Sequence, residues 1–172
     1  WGFTINDEIE NLRAAQEHLK IVNLGATAIG TTVTAAPGYP ELAVKNLAEL
    51  TGIDFKNSED LIAATSDCGA YMTLSSAIKG LAVKMTKVCN DIRLLASGPR
   101  CGLKEINLPQ LQPGSSIMPG KVNPVAAEVA NQASFLAIGL DTTVMLAASA
   151  GQLELNVMEP VITYALYTQM KV

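Results

Sequence analysis

The chain has 172 residues, of which 49% are hydrophobic, 16% charged and 5% aromatic, which suits one domain, or a piece of one, and excludes a disordered tract. A formal net charge of −4 without any Lys/Arg cluster excludes nucleic acid as an expected partner. Three cysteines (Cys68, Cys89 and Cys101) lack metal-type spacing and read as reduced thiols of a cytoplasmic protein.

The first expected element is a helix over residues 4–23, with Ile5, Ile9, Leu12, Ala15, Leu19 and Val22 on one face. A Gly/Thr-rich connection over 25–39 leads to a short helix over 40–51, stopped by Gly52. The most regular segment is 71–95. Its apolar residues Tyr71, Leu74, Ile78, Leu81, Met85, Val88, Ile92 and Leu95 step by three and four without a break, a heptad-like seam. Gly80 inside it weakens the helix by about 1 kcal/mol and signals a close neighbour. Ser97-Gly98-Pro99 ends it, and a loop runs to Pro119.

A third long helix starts at Asn123-Pro124 and runs to about Ala150, with Val125, Val129, Ala133, Leu136, Leu140 and Val144 as its apolar positions and Asn123 as its cap. A last helix starts near Asn156 and continues past Pro160. No strand pairs, repeats or low-complexity tracts are evident, so the expected class is an all-α long-helix bundle. No stretch is expected to span a bilayer; the best candidate, 133–150, is broken by Asp141 and two threonines. Continuous seams on long helices need partners on several sides, more than a monomer of this size supplies. Together with a first residue, Trp1, that is not an initiator methionine, this suggests an internal piece of a longer, oligomeric protein.

The chemistry concentrates in Gly114-Ser115-Ser116-Ile117-Met118-Pro119-Gly120-Lys121-Val122-Asn123. A glycine-framed loop with hydroxyls, a cation and an amide has the parts of a site for a small anion. This segment resembles the signature loop of the fumarase/aspartase superfamily. The resemblance extends to Asn23-Leu-Gly-Ala-Thr-Ala-Ile-Gly-Thr31, to Asn90-Asp-Ile-Arg-Leu-Leu-Ala-Ser-Gly-Pro-Arg100 and to Gly151-Gln-Leu-Glu-Leu-Asn-Val-Met-Glu-Pro160, in the family's order. Thr65-Ser-Asp-Cys-Gly-Ala-Tyr71 and the 151–159 stretch look like the ammonia-lyase branch rather than the hydratase branch.

The resemblance implies reversible anti elimination of ammonia from L-aspartate to give fumarate, with the malate/fumarate hydratase as the alternative. It implies no cofactor and no metal, and a homotetramer whose active sites are shared between subunits. The chain would be part of the central helical domain, without the N-terminal domain and a C-terminal part, and inactive by itself.

Ser115 matches the family's catalytic base. A serine hydroxyl is a poor base unless loop N–H groups and a cation stabilise its alkoxide, which Gly114, Ser116, Ile117, Met118 and Gly120 would allow the backbone to do. Its bland reading is a turn residue. Lys121 and Asn123 match contacts to the substrate carboxylates. A solvated loop lysine and a helix cap are their ordinary alternatives. Glu128 matches an acid that supports a histidine in hydratase relatives, although a first-turn Glu also suits a helix dipole. Thr27, Thr31 and Thr32 could line the site, with packing the favoured role. His18, the single histidine, reads as a surface or packing residue, and Cys101 as no more than a modifiable thiol.

Two rivals come from other classes. Gly114 to Lys121 resembles a phosphate-binding loop, but the spacing is one residue too long and Val122 stands where Ser or Thr is needed. A non-enzymatic helical assembly protein would use only the 71–95 seam.

Overall fold

The computed structural model of the chain describes residues 1–114, 117, 118 and 120–172. Its elements in order are α1 (Gly2–His18), β1 (Ile21–Val22), α2 (Tyr39–Thr51), β2 (Lys56–Asn57), α3 (Ala63–Ser66), α4 (Gly69–Leu95), α5 (Val125–Ser149) and α6 (Glu159–Lys171). The all-α expectation holds. The long helices form an antiparallel bundle in which α4 packs on α1 and α5, and α5 packs on α6. Cross-links fix the directions. The start of α1 meets the end of α4 through Trp1 Nε1–H donating to Asp91 Oδ2 at 2.9 Å. The start of α4 meets the second half of α5 through Ser75 Oγ–H donating to Asp141 Oδ1 at 2.8 Å.

The first helix stops at His18 rather than at 23. Ile21 and Val22 leave it to pair in parallel with Lys56 and Asn57, with Lys56 N–H on Lys20 C=O and Ser58 N–H on Val22 C=O, both 2.9 Å. Adjacent β-branched residues favour extended backbone, and two residues are too few for a strand's alternation to show in the sequence. The 40–51 helix lies as expected, closed by Gly52 at φ 70°.

Gly80 marks a close approach, as its position suggested. A Cβ built there would lie 2.7 Å from Glu8 Oε2 on α1. Glu8 is buried and paired to Lys84, with Asn11 Nδ2–H donating to it at 3.2 Å. The deepest positions on α4 are Ser75, Ala82 and Cys89, seven residues apart, with Leu74 and Ile78 packed beside them on a core of Cys68, Val144, Ala147, Ile162, Ala165 and Leu166.

The inward face of α5 differs from the expected one. Val144 is fully buried, but Val129 and Leu136 are 63% and 48% exposed. The buried stripe is instead small and polar, including Ala127, Asn131, Ser134, Ala137 and Asp141. Close helix packing selects short side chains, and buried polar ones are tolerated because α4 supplies partners: Asn90 for Asn131, and Ser75 and Lys79 for Asp141. Larger apolar residues, among them Phe135, Leu136, Met145 and Leu146, are left on the outside. By length and composition α5 is apolar enough to cross a membrane, with a mean hydropathy of 1.2 over an 18-residue window, which corrects the expectation that no stretch qualifies. Here it is the central bundle helix with a paired carboxylate inside.

Asn156 ties α5 to α6. Its buried Nδ2 donates to the Ala147 and Ala148 carbonyls, both at 3.1 Å, while its Oδ1 accepts Met158 N–H at 2.8 Å. One side chain thus satisfies free carbonyls at one helix end and orients the next helix. The last helix begins at Glu159, slightly later than expected, with Pro160 in its first turn.

Candidate active site

Antiparallel packing brings the end of α4 and the start of α5 to one end of the bundle, joined by residues 96–124. This connection is folded back on α4: Lys104 N–H donates to Ser97 C=O at 2.8 Å, and Glu105 N–H to Leu95 C=O at 2.9 Å. A Cβ on Gly102 would lie 2.3 Å from Gly98 N. Lys104 takes φ 53°, unusual for a residue with a side chain.

Gly114 and Lys121, near the two ends of the 114–123 strap, lie against each other. A Cβ on Gly114 would lie 2.8 Å from both the backbone N and O of Lys121. Lys121 N–H donates to Met118 C=O at 3.2 Å, and Gly120 has φ 80°. Both glycines are therefore required, one for close backbone approach and one for conformation. Ser115 and Ser116 lie outside the described residues.

Lys121, Asn123 and Glu128 come together. They line one open pocket of about 670 Å³, with Arg93, Ser97 and Lys104 among its other walls. Lys121 is exposed, Asn123 and Glu128 half-buried. The expected cap role of Asn123 is corrected: Pro124 is the residue preceding the helix, and no side chain caps it. Pro124 has ψ 53°, outside the helical range, so the helix starts one residue later than expected. Glu128 sits in the first turn of α5, where Glu128 N–H donates to Pro124 C=O at 3.0 Å. Behind the strap a smaller apolar cavity of about 280 Å³ lies between Cys89, Ile92, Leu108, Leu111 and Pro124.

Thr27, Thr31 and Thr32 lie elsewhere. Their loop packs beside Asn23 and Thr65, whose side chains meet at 3.4 Å, near the start of α4. A 27-residue helix separates that end from the strap, roughly 40 Å. Thr27 and Thr32 have φ 66° and 57°, and a Cβ on Gly30 would lie 2.4 Å from Ile62 Cα, so the loop is tightly folded. His18 lines a separate pocket at that end with Asp67, Tyr71 and Glu159. Burial, then the Glu159 charge, pushes the Tyr71 phenol above its ordinary range. Cys101 is exposed. Neither Arg93 nor Lys104 stands out by itself in the sequence, because what distinguishes them is the pocket they share.

The sequence pattern of the protein family described as Lyase matches residues 2–139. Aspartate ammonia-lyase of Escherichia coli (strain K12) is 60% identical over 172 residues, all of this chain and 36% of that protein. Aspartate ammonia-lyase of Pseudomonas aeruginosa is 54% identical over 169 residues, again 36% of its length. Among solved structures, a fumarate lyase:delta crystallin from Brucella melitensis bound to cobalt superposes with TM-score 0.93 and 47% identity, over 96% of this chain and 36% of that one. A recombinant class II fumarase from Schistosoma mansoni gives TM-score 0.89 at 32% identity, over 96% of this chain and 38% of that one. The chain thus spans little more than a third of the length of the relatives it matches. With most of its residues inside the family pattern, this chain belongs to the lyase family, the fumarase/aspartase superfamily that its 114–123 strap resembles.

Proposed function

We propose that the chain is part of an aspartate ammonia-lyase, which reversibly eliminates ammonia from L-aspartate to give fumarate. The observation that carries this is 60% identity, without a break in coverage, to a protein of that activity. The pocket suits the substrate class, because Lys121 and Asn123 both line it and offer a cation and an amide donor.

In this reading Lys121 and Asn123 hold a substrate carboxylate, and the positive end of α5 adds to their field. The Ser115 oxygen, as alkoxide, takes the proton from the carbon beside that carboxylate. The bonding electrons spread onto the carboxylate as an enediolate-like dianion, which the cation stabilises. Collapse of that dianion forms the C=C bond. The C–N bond breaks on the opposite face, and its electron pair leaves with nitrogen as ammonia. In this reading Gly114, Ser116, Ile117, Met118 and Gly120 belong to the segment that carries Ser115, and Glu128 lines the same pocket as Lys121 and Asn123. Thr27 and Thr31, at the far end of α4, could reach such a site only from another copy of the protein. The exposed apolar residues of α5 support assembly with other copies, and the reading carries with it a homotetramer with shared sites in the cytoplasm.

A class II fumarase is the second reading, favoured by the fumarase likeness at 32% identity. The test is fumarate ultraviolet absorbance with the full-length protein, given aspartate or malate in turn. Aspartate should yield fumarate and malate should not; the reverse would install the fumarase reading. Ser115→Ala should cost about 10³-fold or more in turnover with tetramer assembly intact. Turnover that survived this substitution would remove Ser115 from the mechanism. The 172-residue chain alone is expected to show no appreciable activity.

A further inference from the structure

The charges of this chain are distributed unevenly. Among the described residues, seven of the twelve Lys and Arg side chains form ion pairs: Arg13, Lys20, Lys45, Lys56, Lys79, Lys84 and Lys87. The five that form none are Arg93, Arg100, Lys104, Lys121 and Lys171. Four of these fall within residues 93–123, where Glu105 is the single acid, so a stretch of formal charge +3 sits in a chain of −4. Arg93, Lys104 and Lys121 line the same pocket, with Glu128 as the one acid among the described residues of its wall, so three cations there face a single carboxylate.

We propose that Arg93 and Lys104 are steering cations, which gather the anionic substrate at the pocket mouth without contacting it at the reacting carbon. The inference rests on the aspartate/fumarate reading of the site. Two cations held beside Lys121, in a molecule otherwise negative, make a local positive potential that concentrates dicarboxylates and raises their rate of capture. The Lys104 backbone is fixed by its left-handed conformation and by its N–H bond to Ser97 C=O at 2.8 Å, which roots the side chain in the pocket wall. Arg93 makes one long contact, Nη1–H to Asn90 Oδ1 at 3.5 Å, with a neutral group that leaves its charge uncompensated. A basic residue in the last turn of α4 also suits the helix dipole. That accounts for Arg93 but not for Lys104, nine residues past the helix end.

The experiment is steady-state kinetics of the full-length protein carrying Arg93→Gln and Lys104→Asn, Asn being chosen because it tolerates a positive φ. Ionic strength is varied from about 0.01 M to about 1 M, which shortens the screening length from about 30 Å to about 3 Å. Fumarate is a dianion and aspartate carries one net negative charge near neutral pH. At low salt, kcat/KM for fumarate amination should fall about tenfold and that for aspartate deamination about threefold. Both losses should vanish at high salt. Lys56→Gln on β2, a cation at the opposite end of α4 from the pocket, should change neither. A loss that persists at high salt, an equal loss for the two substrates, or the same loss in Lys56→Gln overturns the steering role. An unaltered protein that turns over neither aspartate nor fumarate sinks the reading of the site and this inference with it. Normal turnover with a salt response equal in parent and variant sinks the inference alone.

Discussion

The Gly114 α-carbon lies directly against the Lys121 backbone, with room for no Cβ between them: one placed there would be 2.8 Å from Lys121 N and O. The contact clamps the two ends of the strap that carries Ser115. Gly114→Ala must push Lys121 away, and an error near 1 Å in a reacting group costs roughly 10²-fold in rate. The full-length variant should lose about that much kcat/KM for aspartate while its thermal unfolding stays close to that of the parent, because the bundle core is not touched. Unchanged kinetics would show that the strap adapts and that its closure does not position the site.

Gly80 and Glu8 make a second such contact, this time between helices. Gly80→Ala would ordinarily stabilise a helix by about 1 kcal/mol. Here the new methyl would meet Glu8 Oε2, built at 2.7 Å, and displace a buried carboxylate from Lys84. The expected result is a net destabilisation of about 1–2 kcal/mol in denaturant unfolding. In a Glu8→Ala background the same substitution should turn stabilising by about 1 kcal/mol, a coupling that a double-mutant cycle reads directly. Additive effects would mean that the two residues do not interact.

The same carboxylate gives a pH dependence. Its hydrogen bond to Lys84 lowers the Glu8 pKa, burial opposes that, and Asn11 and the Lys84 charge lower it further. A group whose folded pKa lies below its unfolded value stabilises fully above the unfolded pKa and loses that contribution as pH falls through the folded one. The stability gap between the parent and Glu8→Gln should therefore be full at neutral pH and close on acidification below the usual carboxylate range. A gap that held constant down to pH 2 would leave the ion pair without a role in folding.

Much of this arrangement is legible before folding, and the misses share a cause. The 71–95 seam marked α4 because its three-four spacing is unbroken, and Gly80 pointed to a close neighbour because a helix-interior glycine is costly without one. The inward face of α5 is not legible from hydrophobicity, because apolar character does not by itself mean burial. Where two helices approach closely, short side chains go inside, so Ser134, Ala137 and Asp141 took the places expected of Val129 and Leu136. Lys121, Asn123 and Glu128 share a short stretch of chain, so their meeting in one pocket is legible in the sequence. Arg93 and Lys104 join them only through the fold-back of residues 96–124, which no local pattern encodes.

Asp141 separates two ways in which a buried charge can matter. Its Oδ1 accepts Ser75 Oγ–H at 2.8 Å, with Ser75 fully buried, and its Oδ2 meets Lys79 Nζ at 2.5 Å, with the lysine side chain 39% exposed. Asp141→Ala strands the Ser75 hydroxyl where water cannot reach it, at a cost of about 1–3 kcal/mol. The Lys79 ammonium can turn to solvent, so its loss adds little. Asp141→Asn keeps an acceptor for Ser75 and removes only the charge. The expected costs are therefore about 2 kcal/mol for Ala and under about 1 kcal/mol for Asn, measured from denaturant midpoints at constant m. Equal costs would transfer the weight from the hydroxyl to the ion pair. The polar inner stripe of α5 would then be held by charge rather than by satisfied hydrogen bonds.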